Sequence, residues 1–389
     1  MYSLTLFNQL LMYVPRRYFE LYVKNYHGDR YVKSFDTWNH FTTLIASQIK
    51  GWNSLREIET GFKTHQDRIY HLGYEKLPTR GNLSKANRRR NYKIYEETFY
   101  QLLEEVKKKT SSIKKLKIGK DLNIFDSTIV TLSLELFNWA TYRREGGFKI
   151  HTAFNVQSQN PIFAKVTHGN INDIEGIDAE LEKYKGSIIV FDRGYSSTAL
   201  FKKLNDLEII FVTRLKTKIK YEVVEEKFSN GKDILGDQII RFTGDKAKKQ
   251  FKGILRLVIF LDKETKKEFK FITNEFKYKA RTIAYIYKKR WGIEIFFKWI
   301  KGNLEIKKYL GRSENAVNIQ VWVALISYIL LNYVRLSISF NGSMLEFTRI
   351  VKEKLFEEIG IIDLAHLKIM SPIKKRGQIV SQRSLFDDF

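Results

Sequence analysis

The order of strand-like and helix-like segments between residues 119 and 215 constrains the fold more than any other feature of this sequence. Three segments resemble strands: I-F-D-S-T, in which the strand is expected to end at Asp126, then F-K-I-H-T-A-F-N-V and P-I-F-A-K-V-T. Gly146-Gly147 and Ser158-Gln159-Asn160 fit the turns between them. A helix-like segment, the strand-like S-I-I-V-F and another helix–strand pair follow. This order predicts an α/β fold with a mixed sheet.

The charge of the chain narrows the choice of partner. Its 389 residues contain 68 Lys and Arg against 43 Asp and Glu, a formal net charge of +25. Such an excess of positive charge favours a polyanionic binding partner. We expect this partner to be nucleic acid and not anionic lipid. The 28 Phe and 21 Tyr weigh in the same direction, because aromatic rings stack on unpaired bases.

Two further features bear on the cellular compartment. The apolar run at 316–334 approaches the length of a membrane span, but Asn318, Gln320, Ser327 and Asn332 interrupt it. We therefore expect a buried core helix and no membrane partner. The chain contains no cysteine, which fits a reducing cytoplasm.

A basic helix is expected near residue 85, within a first hundred residues of helical periodicity. Pro78 and Gly81 break the pattern, and Ser84 would cap a helix that opens with four cations. These cations are Lys85, Arg88, Arg89 and Arg90. Such a helix suits contact with DNA phosphates or insertion into a groove. The alternative is a solvated basic face.

Three acidic residues suggest a metal site. Asp126 and Asp192 each follow apolar strand residues, which would place both carboxylates at the lip of the sheet. A single aspartate of this kind is usually structural, but a later helical Glu294 provides a third carboxylate. Clustered anions need a neutralising cation, and hard oxygen ligands select Mg²⁺ or Mn²⁺. Two such ions, about 3.5–4 Å apart, suit phosphodiester cleavage.

The segment 287–301 places several polar groups beside an apolar face. With about 100° per residue in a single helix, one narrow stripe collects a phenol, a carboxylate and three cations. The stripe consists of Tyr287, Arg290, Glu294, Lys298 and Lys301. The alternative interpretation is a surface helix with ordinary i, i+4 ion pairs.

Four of these residues carry a family resemblance. Tyr287, Arg290, Glu294 and Lys301 stand at the spacing Y-x2-R-x3-E-x6-K. With D-S-T at 126–128, D-R-G-Y at 192–195 and a β-rich segment before the glutamate, this spacing resembles the cut-and-paste DDE transposases of bacterial insertion sequences, the insertion-sequence-four family. K-I-H at 149–151 and T-H-G-N-I-N-D at 167–173 also look like that family, so the resemblance covers nearly the whole chain.

The resemblance implies a ribonuclease-H-like mixed-sheet core in which the catalytic residues Asp126, Asp192 and Glu294 bind two Mg²⁺ ions. Tyr287, Arg290 and Lys301 would grip the backbone at the transposon end, with Lys298 as a further cation of the same stripe. The implied chemistry is hydrolysis at the end, hairpin formation, hairpin opening and joining to target DNA. The implied partners are the terminal inverted repeats, target DNA and a second copy of the chain in the synaptic complex. The implied location is the bacterial cytoplasm, on the nucleoid.

The sequence divides into regions accordingly. We expect a helical DNA-binding region, a catalytic core in two pieces, a β-rich insertion, and a helical C-terminal region with a tail. Their ranges are 1–115, 116–215 with 281–340, 216–280, and 341–389.

Several alternatives stay open. Trp291 and Trp299 are candidates for stacking on an unpaired base, although core packing is the commoner role of tryptophan. His151 is expected to be a hydrogen-bonded structural residue, and Asp173 to cap a helix, in preference to a metal ligand. A metal-dependent nuclease on the same fold, or a catalytically inactive DNA-binding regulator, are the alternative functions.

Overall fold

The helical region near the N-terminus begins the chain. The computed structural model describes residues 4–110, 118–132, 141–142, 145–227, 231–303 and 310–367. Six helices lie within residues 4–110: α1 Leu6–Leu11, α2 Arg16–Asn25, α3 Thr37–Lys50, α4 Leu55–Thr64, α5 Arg80–Arg89 and α6 Lys93–Thr110. The basic helix α5 begins five residues earlier than predicted, at Arg80 and not at Lys85. Thr79, not Ser84, caps it, because the Thr79 hydroxyl accepts from the amide of Asn82 at 3.2 Å.

A mixed sheet forms the centre of the described molecule. Its strands are β1 Leu122–Leu132, β2 Thr141–Tyr142, β3 Glu145–Asn155, β4 Asn160–His168, β5 Ile188–Phe191, β6 Ile210–Arg214, β7 Tyr221–Glu226, β8 Ile234–Phe242, β9 Ile254–Leu261 and β10 Glu268–Thr273. The strand order is β2-β3-β1-β5-β6-β10-β9-β8-β7, with β4 paired to β3. β1, β3 and β4 form an antiparallel meander, whereas β5 and β6 run parallel to β1. The predicted α/β fold with a mixed sheet is confirmed.

The first strand is longer than its sequence suggested. β1 does not end at Asp126, because its antiparallel pairing with β3 continues to Leu132. The parallel pairing with β5 does end there, with Phe125 opposite Phe191 as its last pair. Asp126 and Asp192 therefore occupy equivalent positions, one residue beyond the point where two neighbouring strands separate.

The β-rich segment extends the sheet instead of forming a separate one. β10 pairs with β6, and β9, β8 and β7 follow outward. A buried ion pair joins β8 to β9: Nε and one terminal nitrogen of Arg256 each donate to the carboxylate of Asp237 at 2.7 Å. Arg256 also donates to the carbonyls of Glu275 and Tyr278, at 3.3 and 2.6 Å. These bonds connect the end of the insertion to the sheet.

The remaining helices cover the sheet and carry the core. They are α7 Asp173–Ile177, α8 Thr198–Asp206, α9 Asp245–Gln250, α10 Ala280–Lys288, α11 Trp291–Asn303, α12 Glu314–Ser337 and α13 Met344–Lys354. α12 is long and apolar enough to span a membrane, but 94% of its most apolar window is buried inside the molecule. This confirms the predicted core helix. Asn332 on α12 donates to the carbonyls of Ser158 and Gln159, at 3.1 and 3.0 Å, and so holds the turn between β3 and β4.

The signature segment is two helices, not one. α10 ends at Lys288 and α11 starts at Trp291, so the prediction of a single rigid helix was wrong. Bonds of the tighter i→i−3 type fill the junction, from Arg290 N to Tyr287 O at 3.0 Å and from Ile293 N to Arg290 O at 3.2 Å. The two helices also pack on different surfaces, α10 on the inserted strands and α11 between β1 and α12.

Candidate active site

Two aspartates lie side by side at the edge where β1 and β5 part. The side chain of Asp126 is 20% exposed, and its carboxylate accepts from the amide of Ser127 at 2.8 Å. Burial raises the pKa of Asp126 to about 6, and the neighbouring negative charge of Asp192 adds to this shift. The Asp192 carbonyl accepts from the amide of Tyr195 at 3.1 Å, which fixes the chain just after β5.

Arg290, in the junction between α10 and α11, links Asp126 to the glutamate. One terminal nitrogen lies 3.9 Å from the carboxylate of Asp126, and the other donates to the carboxylate of Glu294. The Arg290 side chain is 18% exposed, so little water screens these pairs. Burial opposes the charge of Arg290, but Tyr287 and Glu294 outweigh it and raise the arginine pKa.

Tyr287 lies on the buried side of Arg290. Its hydroxyl is buried and has no hydrogen-bond partner among the described residues. Its ring packs on Phe271 of β10 at 4.7 Å, and the Arg290 guanidinium lies 5.8 Å from the ring centroid. Burial raises the pKa of Tyr287, so the phenol stays protonated. In this structure Tyr287 supports Arg290 from beneath and does not face solvent.

A polar network that the sequence did not reveal lies beside Asp126. Asp173, in the first turn of α7, accepts from the Ser127 hydroxyl at 2.6 Å and from Lys149 Nζ at 2.9 Å. Burial alone would raise the pKa of Asp173, but these two donors outweigh it and hold that pKa below its usual value. The helix cap is Asn172, not Asp173. The T-H-G-N-I-N-D segment was the available signal, but no spacing rule connects Asp173 to Ser127.

His151 is a structural residue at this site. It is fully buried on β3, and its Nε2 lies 3.0 Å from the Thr167 hydroxyl. A Cβ on Gly176 would stand 2.1 Å from His151 Nδ1, so only glycine allows α7 to approach this ring. Burial, with help from Lys149, lowers the pKa of His151 to about 4.

The outer face of α11 carries the other predicted contacts. Trp291 is 55% exposed, next to Arg290, while Lys298 and Lys301 are exposed one and two turns beyond Glu294. Trp299 is different: its Nε1 donates to Thr348 on α13 at 3.2 Å, and its ring packs on Tyr328 of α12. Core packing therefore accounts for Trp299, and Trp291 is left as the exposed ring beside the acidic cluster.

Three of the four cations predicted for the basic helix α5 are exposed to solvent. Lys85, Arg88 and Arg89 are exposed, and in the described part of the chain none of them forms an ion pair. Arg90 is a correction, because its side chain is only 4% exposed. Its guanidinium donates to the carbonyl of Phe35 and lies 5.4 Å from the centroid of the Phe35 ring. Arg90 fixes the end of the helix and does not present its charge to solvent.

The predicted metal ligands are near one another without forming a complete ion site. Among the described residues, no three histidine, aspartate or glutamate side chains are close enough to hold one metal ion. The cause is visible: Arg290 stands between Asp126 and Glu294. The donors still fit a hard cation in type, because Asp126 and Asp192 are neighbouring carboxylates at a partly shielded edge and Glu294 is linked to Asp126 through Arg290. Metal binding by these residues stays a prediction.

Comparison with known proteins gives a family. The sequence profile described as "Transposase DDE domain" matches residues 117–330, more than half of the chain. A second profile, described as a domain of unknown function (DUF4372), matches residues 3–75.

Relatives that are named as transposases match along most of the chain. A candidate transposase of Sinorhizobium fredii, y4zB, is 29% identical over 310 residues, which cover 77% of this chain and 83% of the relative. A Geobacillus stearothermophilus chain named as the transposase of insertion sequence element IS5377 is 29% identical over 256 residues, 65% of this chain and 66% of the relative. A Synechocystis chain named for element IS4SA is 28% identical over 289 residues, 72% of this chain and 78% of the relative.

Among solved structures, the piggyBac transposase synaptic complex with hairpin DNA aligns with a TM-score of 0.46 and 13% identity, over 95% of this chain and 82% of that one. The family match rests on sequence, and the residues it spans include Asp126, Asp192, Arg290 and Glu294. The chain belongs to the DDE transposases, enzymes that cut DNA and transfer its strands.

Proposed function

We propose that this transposase is of the insertion-sequence-four type and cuts the ends of its element by metal-dependent chemistry on a ribonuclease-H-like core. The observation that carries the proposal is the position of Asp126 and Asp192, one residue beyond the parting of two parallel strands, with Glu294 joined to Asp126 through Arg290. The antiparallel meander followed by two parallel strands is consistent with this core.

Asp126, Asp192 and Glu294 would hold the divalent ions, Mg²⁺ or Mn²⁺. When bound, such ions activate the attacking oxygen and stabilise the leaving oxygen of a phosphodiester. Burial raises the pKa of Asp126 to about 6 in spite of the nearby Arg290, and the charge of a bound metal ion would keep that carboxylate ionised. Arg290 must first release Glu294, and a DNA phosphate is a suitable new partner because guanidinium binds phosphate in a forked geometry.

The exposed face of α11 is proposed to hold the transposon end. Lys298 and Lys301 follow Glu294 along this face and would bind phosphates on either side of the cut. Hairpin formation requires at least one base to leave the stack. Trp291, exposed and adjacent to Arg290, would support that base. Tyr287 would act by positioning Arg290, because its hydroxyl is buried.

We propose that α5 recognises the transposon end through Lys85, Arg88 and Arg89. This helix contains no acidic residue, and the exposed Gly81 and Ser84 on the same face allow close approach to a groove. We further propose that two copies of the chain pair two ends in a synaptic complex, in the bacterial cytoplasm on the nucleoid.

Substitution of the three carboxylates tests the catalytic assignment. Asp126→Asn, Asp192→Asn and Glu294→Gln should each abolish cleavage of a labelled transposon end in Mg²⁺, because an amide oxygen is a weaker ligand than a carboxylate. Binding of the same DNA should persist. Glu346→Gln, which changes an exposed helix-capping glutamate on α13, is the matched control and should cleave normally. Parental cleavage by Glu294→Gln would refute the assignment.

A second measurement needs no activity. Calorimetric titration with Mn²⁺ should show binding to the parent that Asp126→Asn removes. Arg290→Gln should bind Mn²⁺ more tightly than the parent, since it no longer holds Glu294. Lys298→Gln removes an equal charge without touching a carboxylate and should leave this affinity unchanged. Equal Mn²⁺ binding by all four proteins would place the metal elsewhere.

The products distinguish this function from the alternatives. A transposase of this type gives a hairpin on a denaturing gel and joins precut ends to a target plasmid. A nuclease on the same fold would cut without joining, and an inactive regulator would only bind. The complete signature set Tyr287, Arg290, Glu294 and Lys301 favours the transposase.

A further inference from the structure

The loop of residues 27–34, between α2 and α3, exposes an aromatic ring in an unusual backbone conformation. Tyr31 is 79% exposed and has a φ of 61°, in the left-handed region. His27, at the start of the loop, is also left-handed, with a φ of 52°. Non-glycine residues avoid this region, and the conformation persists only where the surroundings enforce it. Val32, beside the ring, is 37% exposed.

Hydrogen bonds and close packing enforce this conformation. The Asp29 carboxylate accepts from both the amide and the hydroxyl of Thr37, each at 2.6 Å, which ties the loop to the start of α3. The amide of Val32 donates back to the carbonyl of Asp29 at 3.1 Å. Gly28 is packed so closely that a Cβ would stand 2.8 Å from the Thr37 hydroxyl. The loop is therefore a fixed projection with Tyr31 at its tip.

The loop adjoins the end of the basic helix α5. Arg90, directly after α5, donates to the carbonyl of Phe35 and lies 3.9 Å from the carboxylate of Asp29. The exposed Arg88 and Arg89 immediately precede this anchor. Arg90 thus holds the 27–34 loop next to the end of the helix that carries the exposed Arg88 and Arg89.

The charge of the loop complements a polyanion. Arg30 and Lys33 flank Tyr31, are exposed, and form no ion pair in the described residues. The Arg30 guanidinium lies 5.0 Å from the Tyr31 ring centroid and donates to the Tyr31 hydroxyl at 3.1 Å. These two contacts restrict the orientation of the ring. The loop's carboxylate, Asp29, already accepts bonds from Thr37. The loop therefore exposes two cations, one on each side of Tyr31 in the sequence.

We propose that the 27–34 loop is a second contact to double-stranded DNA at the transposon end, beside the groove that α5 enters. Arg30 and Lys33 bind phosphates, and the ring of Tyr31 lies against a sugar or base edge of the adjacent minor groove. Rigid side chains at loop tips suit this role, because cations and apolar wedges are common readers of the minor groove. The inference rests on the proposed end recognition by α5 and adds its neighbouring contact.

The first test is the affinity for a fluorescein-labelled duplex copied from the end of the element that encodes the chain. Tyr31→Ala should weaken binding about tenfold, the scale of a lost aromatic contact to nucleic acid. Tyr31→Gly should weaken it equally while its thermal midpoint stays at or above the parental value, because glycine accepts a positive φ without strain. This pair separates a lost contact from a lost fold. Parental affinity of both variants would overturn the inference.

The second test is the salt dependence of the same binding. Removing both loop cations in Arg30→Ala/Lys33→Ala should lower the slope of log affinity against log salt by about 1.8. Lys246→Ala/Lys248→Ala, two exposed cations on α9, is the matched control and should leave the slope unchanged. An unchanged slope in the loop variant would also overturn the inference.

A third variant, Arg88→Ala/Arg89→Ala, distinguishes the loop contact from the proposed recognition of the transposon end by α5. If this variant weakens binding and the loop variants do not, the loop contact is refuted and recognition by α5 stands. If neither set weakens binding, both are refuted.

Discussion

At the scale of single residues, Arg290 has the most instructive position. The family resemblance implied a phosphate contact, but in the structure Arg290 binds Glu294 and lies near Asp126. An uncompensated cluster of carboxylates is unfavourable in a partly buried site. Arg290 partly neutralises these carboxylates. Under the proposed function, its release from Glu294 would couple end binding to metal binding.

The residues of the site divide into those that spacing reveals and those that it does not. Asp126, Asp192 and Glu294 could be named as candidates because each stands in a recognisable local pattern, and their catalytic role stays a prediction. Asp173, Ser127 and the inward position of Tyr287 were not, because only the folded register of β1, β3 and α7 brings them to the site. Arg90 was misassigned for a related reason: charge in a sequence does not say which cation is used as an anchor.

His151 gives a pH prediction at this scale. Its pKa is about 4 in the folded chain, because burial disfavours the charged ring, against about 6.5 when unfolded. The unfolded state therefore binds a proton that the folded state does not, and stability falls as pH drops from about 6.5 to about 4. The loss between pH 7 and pH 5 should be about 2 kcal/mol for this residue.

Urea unfolding of His151→Asn at pH 7 and pH 5 measures this loss. The variant should lose about 2 kcal/mol less than the parent over that interval, because asparagine does not titrate. His168→Asn, which replaces an exposed histidine on β4, should follow the parent. The prediction is wrong if His151→Asn shows the full parental pH dependence.

At the scale of elements, the division of the 281–303 segment shows the limit of periodicity. A helical wheel placed Tyr287 and Glu294 on one stripe, and a local pattern cannot report that α10 and α11 pack on different surfaces. The meander of β1, β3 and β4, by contrast, could be predicted from its alternating strand patterns and from the polar turn between β3 and β4. The predicted turn at Gly146-Gly147 was wrong, because both glycines lie inside β3 and pair with the end of β1. Local signals predicted the elements, and long-range packing determined their ends and junctions.

The hydrogen bonds that attach the end of α5 to α12 support a second prediction. Asn315, in the first turn of α12, donates to the carbonyls of Asn87 and Arg90 at 2.9 and 2.7 Å. It also accepts from the amide of Tyr92 at 3.1 Å. One side chain thereby satisfies three backbone groups where α5 ends and α6 begins. Asn315→Ala should cost about 2–3 kcal/mol in the free energy of unfolding and weaken end binding, because these groups lose their partner and α5 its support.

Asn318→Ala is the control for this substitution. Asn318 lies one turn later and donates to Glu314 of its own helix at 3.0 Å. Its loss should change stability and DNA affinity little. Asn315→Asp should behave as an intermediate, because it keeps the acceptor for Tyr92 and loses both donors. Equal stability and affinity of Asn315→Ala and Asn318→Ala would show that Asn315 does not support α5.

At the scale of the whole molecule, the net charge of +25 predicted a polyanionic partner but not where it binds. The structure divides the cations by use. Some are anchors, as Arg90, Arg256 and Lys149 show by their burial. Others, Arg88 and Arg89 on α5 and Lys298 and Lys301 on α11, are exposed and form no ion pair within the part of the chain that the structure describes. Only cations of the second kind displace counterions from DNA, so the total charge is a poor guide to affinity.

The salt dependence of end binding tests this division. The proposed contacts are Lys85, Arg88 and Arg89 on α5, Lys298 and Lys301 on α11, and Arg290 in the junction before α11. With about 0.9 ions released per phosphate, they give a slope of about −5 per chain, or about −7 if Arg30 and Lys33 also bind. Contact by the whole excess of charge would give a slope steeper than −20.

Anisotropy titrations across a salt series, with the duplex of the element's end, measure the slope directly. A slope near zero would contradict phosphate binding by these helices. A slope near that upper bound would mean that the duplex contacts far more of the surface than the faces of α5 and α11 and the 27–34 loop.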